Sequence, residues 1–352
     1  EEAGAPLGDE TVAVVCPGGR LTNGYASTYV RVWERTRNRL GAGAYFQRIT
    51  PRELAPMARA GVVSKAIVQR DALPGELVEE VLALAETGKL TLLLDIDDNL
   101  LDVPAEKDLK GAYRAYAPFL RRQLAGAARV SVSVPELAEA FSAITDRISV
   151  LPNQLSRPIW GAPPDRAPGE DQTITVLYMG TRTHDADLDL VRPAFAEVAR
   201  RHPTARLRII GGLATAWAET PDWLQVTPIP ENAKAYPDFV AWLRAQARTA
   251  AFAVAPLVRT DFNRYKSGLK FLDYAGLGLS GLFSDVEQYQ AHQRNSGCGR
   301  LVADTDWGTA LEEAIQCYKR DPQMWEIQGA AARNWAVEKH MFPPIPHWVA
   351  TA

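Results

Sequence analysis

The sequence has little of the chemistry that crosslinks chains or ligates metals. Its three cysteines, Cys16, Cys298 and Cys317, are odd in number and far apart, and no disulfide or metal-ligand spacing joins them, which suits a reducing compartment. No apolar run approaches the roughly 18 residues that span a bilayer, and no secretory pattern opens the chain; "EEAGAPLGDE" reads as a flexible lead-in. The expectation is a cytoplasmic protein, with peripheral attachment to the inner face of a membrane as the closest approach to lipid. Neither charge is in excess, since the formal net charge is −3 over 352 residues. That balance excludes a dedicated nucleic-acid binder and leaves room for one local basic pocket. Short internal repeats and low-complexity tracts are missing as well. After the first apolar run, "CPGGRLTNG" lacks the G-x-G-x-x-G of dinucleotide-binding folds, which argues against a dehydrogenase.

What the chain does have is alternation. "TVAVVCPGG", "AIVQR", "LTLLLDIDD", "RVSVSV" and "RISVLPN" are short apolar runs ending in polar residues. Helix-period segments such as "GELVEEVLALAETG" lie between them, and Ser133 with Pro135 reads as a cap and first-turn proline for "ELAEAFSAI". Strand–helix alternation of this kind implies a parallel sheet covered on both faces. The pattern then breaks at "SRPIWGAPPDRAPGED", which holds four prolines and two glycines and reads as a linker. It restarts with "TITVLYMG", "RLRIIGG", "LQVTPIP", "FAVAPL", "LSGLFSD" and "GRLVAD", again with helices between, and closes with two tryptophan-bearing helices. The expected organisation is a first α/β domain over 1–157, a linker over 158–171, a second α/β domain over 172–320, and terminal helices over 321–352. Two doubly wound, Rossmann-like domains of this kind are expected to face each other across a ligand cleft.

In open α/β sheets, ligands bind beyond the carboxyl ends of the strands. The stretch after "FAVAPL" therefore matters most. It reads "VRTDFNRYKSGLKFLDYAGLGL". A helix starting near Lys266 or Ser267 would place Lys266, Lys270 and Asp273 at i, i+4 and i+7, on one face. On charge pattern alone that face is solvated. Its position at a helix N-terminus beyond a strand favours a different use: free backbone N–H groups and a first-turn lysine suit a diphosphate. Asn263 adds a donor, and a carboxylate two turns on can accept both hydroxyls of a ribose.

The block "FNRYKSGLKFLDYAGLGL" resembles the donor-site signature of bacterial group 1 glycosyltransferases of the GT-B fold. "YMGTRTHDADLDLV" is similar to the glycine-rich first turn of their donor domain, "RLRIIGG" to its next strand, and "SVLPN" to the end of their acceptor domain. "QRD" and "LLLDIDDNLLDVP" resemble acceptor-domain segments of one subset of that family. The resemblance implies transfer of a sugar from a nucleotide-diphosphate sugar to an acceptor, with no cofactor or essential metal. A growing surface polysaccharide or a glycolipid is the acceptor that family analogy suggests. Lys266 and Ser267 are then assigned to the diphosphate, and Asp273 to the ribose. Gly180 and Thr181 would admit the phosphates, with Arg182 or His184 adding charge. Gly18 and Gly19 match the family's first-domain glycine loop, Arg70 and the Asp97–Asp98 pair line the acceptor side, and terminal helices cross back to the first domain.

Two departures matter. Many retaining members carry an acid eight positions before the second donor-site acid, where this chain has Tyr265, and many carry an acceptor-domain histidine, whereas every histidine here lies at or after His184. Asp97 or Asp98 is the remaining candidate for a general base, and the stereochemical outcome stays open. Three other readings compete. "DID" matches a metal-binding Asp-x-Asp of another glycosyltransferase fold. A catalytically silent sugar-binding or scaffold protein and a nucleotide-sugar epimerase would use the same architecture. His202, His292, His340 and His347 read as helix-end, surface or packing residues.

Overall fold

The computed structural model describes residues 10–18, 26–37, 44–167, 172–180, 185–212 and 221–341. It divides into two units, whose described parts are residues 10–154 with Tyr265–Ser267, and residues 155–264 with 268–341.

The first unit is built on strands β1 (Glu10–Val15), β2 (Ala44–Arg48), β3 (Lys65–Gln69), β4 (Thr91–Ile96), β5 (Arg129–Val132) and β6 (Ile148–Val150). All pairings are parallel, in the order β2-β1-β3-β4-β5-β6. The central strands are covered on both faces, which is why they read as unbroken apolar runs: Leu92, Leu93 and Leu94 are all buried. One face packs on Leu54, Val81, Leu120, Leu124 and Phe141, and the other on Val32 and Phe46. The helix Gly75–Glu86 shows the usual logic, burying Val78, Val81 and Leu82 at helical spacing. Ser133 departs from expectation. The helix Pro135–Phe141 starts after Val134 with no side-chain cap, because the Ser133 hydroxyl donates instead to the carbonyl of Asp97, at 3.0 Å.

The second unit repeats the plan with β7 (Ile174–Gly180), β8 (Ala205–Gly211), β9 (Leu224–Thr227), β10 (Ala250–Ala255), β11 (Gly281–Ser284) and β12 (Arg300–Val302). The order is β12-β11-β10-β7-β8-β9, again parallel throughout. The order reverses between β7 and β10, and such a switch point opens a crevice at the carboxyl ends of the two strands.

The chain after Leu155 is more tightly held than a linker. Trp160 is buried and its Nε1 donates to the Tyr236 hydroxyl at 3.1 Å, and Arg166 donates to the carbonyls of Ala247 and Ala250. The helix Pro322–Lys339, expected to return to the first domain, groups with the second unit, as does Trp307–Arg320 before it. Two contacts account for this. Trp325 stacks on Phe252 of β10 with ring centroids 4.6 Å apart. Arg333, itself buried, donates to the carbonyls of Trp160, Gly161, Ala162 and Gly276. A buried guanidinium needs this many acceptors, since its charge has left water.

Candidate functional site

In the second unit the candidate residues gather at the β7–β10 switch point. Tyr274 fixes the geometry: its hydroxyl accepts from the backbone N–H of Met179 at 3.0 Å and donates to the carbonyl of Val254 at 3.0 Å. One phenol thus ties the ends of both strands to the helix Leu269–Gly276. The same helix buries Phe271 against Phe283, centroids 4.5 Å apart.

That packing carries Asp273 inside. It is 8% exposed, and its Oδ1 is buried with no hydrogen-bond partner. Burial pushes its carboxyl up to about 7, against the pull of the Lys270 charge. Lys270 itself lies over the Tyr178 ring, 5.0 Å from the centroid, with Nζ 3.5 Å from the hydroxyl. Gly180 ends β7 beside them, where a Cβ would meet the Tyr178 hydroxyl at 2.5 Å. In register with it, Gly211 ends β8 at φ +115°, and a Cβ there would lie 2.1 Å from the Gly180 carbonyl oxygen. Both strand ends therefore require glycine. Thr181, Arg182 and His184 fall outside the described residues, as does Gly19. Gly18 is described, at φ 87° just beyond β1.

The helix does not start where the charge spacing suggested. Gly268 is its N-cap and Leu269 its first residue, so Lys266 does not share a helical face with Lys270 and Asp273. Asn263 already has a partner in the chain. Its Nδ2 donates one of its two protons to the carbonyl of Val258 at 2.9 Å. Asn263 also lines a pocket of about 480 Å³ with Arg259, Asp285 and Gln288, its Oδ1 buried without a partner.

In the first unit the structure brings Arg70, Asp97, Asp98 and Lys266 together. Arg70 follows β3 at φ 52°, a left-handed conformation that costs a non-glycine residue about 1 kcal/mol or more. Its backbone N–H donates to the carbonyl of Asp95 at 2.8 Å, and its Nη1 reaches Asp97 Oδ1 at 2.5 Å and Asp98 Oδ2 at 3.2 Å. Lys266 Nζ lies 3.6 Å from Asp98 Oδ1. The two neighbouring carboxyls are driven apart. Burial holds Asp97 above the usual carboxylate range despite Arg70. Burial also opposes ionisation of Asp98, but Lys266 and Arg70 outweigh it and hold that group below. Such divergence suits one carboxylate to take a proton and the other to stay charged.

The first aspartate of "DID" has partners of its own. Asp95 is buried and held by Arg31, Nε to Oδ1 at 3.1 Å and Nη2 to Oδ2 at 2.6 Å, and by the Ser131 hydroxyl at 2.6 Å. Both oxygens of Asp95 are thus engaged by protein donors, and Arg70 engages Asp97 in turn. Arg31, Ser131 and Asn153 are the residues that sequence reasoning missed. Nothing local marks them, because Arg31 and Asp95 are 64 positions apart.

The three described histidines, His202, His292 and His340, are engaged in packing and surface contacts. His202 lies between Glu312, 2.7 Å from Nε2, and Lys319, 2.8 Å from Nδ1. His292 stacks on Phe271 with centroids 5.4 Å apart and touches Trp335 and His340 edge-on. Burial first, and His340 second, lower it to about 4. His347 is outside the described residues.

No family model matches the sequence, and no curated protein matches it. Solved structures do. The chain is similar to sucrose-phosphate synthase from Thermosynechococcus elongatus, at 12% identity and TM-score 0.62 over 97% of this chain and 98% of that one. It is similar to HepE of Anabaena in complex with UDP-glucose, at 9% identity and TM-score 0.62 over 97% and 98%. TarM matches at 12% identity and TM-score 0.51 over 79% of this chain, which spans 52% of the length of TarM. At these identities the likeness is one of fold. The fold is GT-B: two parallel six-stranded α/β units.

Proposed function

We propose that the protein is a glycosyltransferase that moves a sugar from a nucleotide-diphosphate sugar to an acceptor hydroxyl, on a growing surface polysaccharide or a glycolipid. The observation that carries this reading is Asp273, a buried carboxylate with an unpartnered oxygen at the switch point of the second sheet. A ribose supplies two hydroxyl donors for such a group, and a UDP-glucose complex of HepE shares the fold. Gly180 leaves the backbone open to phosphate, and Lys266 supplies the charge that the departing diphosphate needs. Asp97, with its raised affinity for protons, takes the proton from the acceptor as its oxygen bonds to the anomeric carbon and the bond to the diphosphate breaks. Asp98 stays charged and orients Arg70 and Lys266. Neither a cofactor nor a metal enters this scheme, and the site of action is the cytoplasm, at the membrane face where a lipid-linked acceptor is used.

The test is Lys266→Ala, read by calorimetry against a panel of nucleoside diphosphates and by product formation from the donor that binds. Affinity is expected to fall about tenfold or more, and turnover by about a hundredfold or more, with an unchanged melting temperature. Unchanged nucleotide affinity would remove Lys266 from the site.

A further inference from the structure

The buried pair Asp95–Arg31 belongs to a chain of polar contacts in the first unit. Arg31 is fully buried, and beyond Asp95 its Nη1 donates to the carbonyl of Leu151 and, at 3.3 Å, to Asn153 Oδ1. Asn153 is 6% exposed, and its Nδ2 donates to the Ser267 hydroxyl oxygen at 2.7 Å. The direction of each bond is forced. A guanidinium has donors and no acceptor, so the oxygen of the Asn153 amide must face Arg31 and its NH₂ must face Ser267. Ser267 Oγ then accepts from Asn153, and its own proton is left to donate elsewhere.

We propose that Asp95, Arg31 and Asn153 form a positioning relay that presets Ser267 as a hydrogen-bond donor to an anionic oxygen of the diphosphate, beside Lys266. The inference rests on the assignment of Lys266 and Ser267 to that diphosphate. It gives a function to the "DID" aspartate left unused by the chemistry: Asp95 orients Arg31, which sets the amide, which sets the hydroxyl. A hydroxyl free to rotate would be indifferent between donor and acceptor. Here it is already committed, and an anion needs only donors.

The probe is inorganic pyrophosphate, which is independent of the nucleotide base. Changing Arg31 or Asp95 would strand a buried charge and risk unfolding, so the variants are made at Asn153 and Ser267. Asn153→Asp keeps an acceptor for Arg31 but offers Ser267 an acceptor instead of a donor, turning the hydroxyl proton inward. Pyrophosphate affinity is expected to fall about tenfold in Asn153→Asp and about tenfold in Ser267→Ala, in line with loss of one hydrogen bond to a charged group. The double variant should bind as weakly as either single variant and no more weakly, because both remove the same contact. Asn153→Ala with Ser267→Ala makes the same cycle should Asn153→Asp fold poorly, with melting temperatures as the control. Independent losses that multiply in the double variant would overturn the relay, since a bare charge effect of the new carboxylate adds to loss of the hydroxyl. Lys266→Ala separates the two levels of the argument. If it weakens pyrophosphate while the cycle shows no coupling, the relay alone fails; if it changes nothing, the diphosphate assignment fails with it.

Discussion

Asp273→Asn should make the protein more stable and less able to bind nucleotide. The carboxyl rises from 3.8 to about 7 on folding, a displacement of about three pH units, or about 4 kcal/mol against the charged form as an upper limit. The sign follows from linkage. The folded state holds the proton more tightly than the unfolded state, so this group's contribution is fully present below pH 3.8 and is lost as pH rises through about 7. An amide of the same shape has no charge to desolvate. Urea unfolding at pH 8 should therefore show the variant ahead by about 2 kcal/mol or more, allowing for the new NH₂ group, and the gain should vanish near pH 4. Nucleotide binding turns the argument round. Two ribose hydroxyls donating to the carboxylate favour its charged form and pull its pKa down, so binding near pH 6 should release close to one proton. Calorimetry in buffers of different ionisation enthalpy reads that release directly, and wild-type affinity should increase from pH 5 to 7. In Asp273→Asn the proton release should disappear and the affinity should be low and flat with pH. A variant with no gain in stability at pH 8, together with proton-neutral wild-type binding, would refute both the buried charge and its ribose.

Acid should act on His292 with the opposite sign. Its folded pKa is lowered from 6.5 to about 4, so its contribution is present above 6.5 and falls as pH drops toward 4, by at most about 3 kcal/mol. His292→Phe should flatten that acid limb in urea melts at pH 7 and 4.5; an unaltered limb would place the loss elsewhere. Gly211→Ala forces a Cβ to within 2.1 Å of the Gly180 carbonyl oxygen at φ +115°, and should destabilise by about 3 kcal/mol or more. A near-native melting temperature would mean that the two strand ends are not so close. Sugar transfer should survive a chelator, because Asp95 and Asp97 are engaged by Arg31 and Arg70; a strict requirement for Mg²⁺ or Mn²⁺ would contradict this.

The strands were legible because parallel strands with both faces covered must be apolar without interruption, as Leu92–Leu94 and the wholly buried β10 are. β2 was not, since Ala44–Arg48 lies at the edge of its sheet and buries only part of its length. Candidate site residues could be named from the sequence, and their arrangement could not. Lys266, Lys270 and Asp273 have the spacing of a solvated helical face, and that spacing alone does not tell that Phe271 and Tyr274 draw the helix inward. The helix begins two or three residues later than expected for a related reason. Lys266 and Ser267 are held by Asp98 and Asn153, partners more than a hundred positions away that no helical period can encode.

The aspartates of "DIDD" make the same point more sharply. Three carboxylates in four residues suggest one local function, and β4 ends between the first and the second, but the spacing cannot say what each meets. Asp95 meets Arg31 and is spent on structure; Asp97 meets Arg70 in a buried setting that raises its proton affinity; Asp98 meets both Arg70 and Lys266 and stays ionised. Chemically identical side chains thus meet different partners, Arg31 for one and Arg70 and Lys266 for the others, and the neighbours Asp97 and Asp98 are driven in opposite directions. The motif was visible in the sequence. The division of labour within it is tertiary, and a variant series at Asp95, Asp97 and Asp98 should separate loss of fold, loss of turnover and loss of anion affinity in that order.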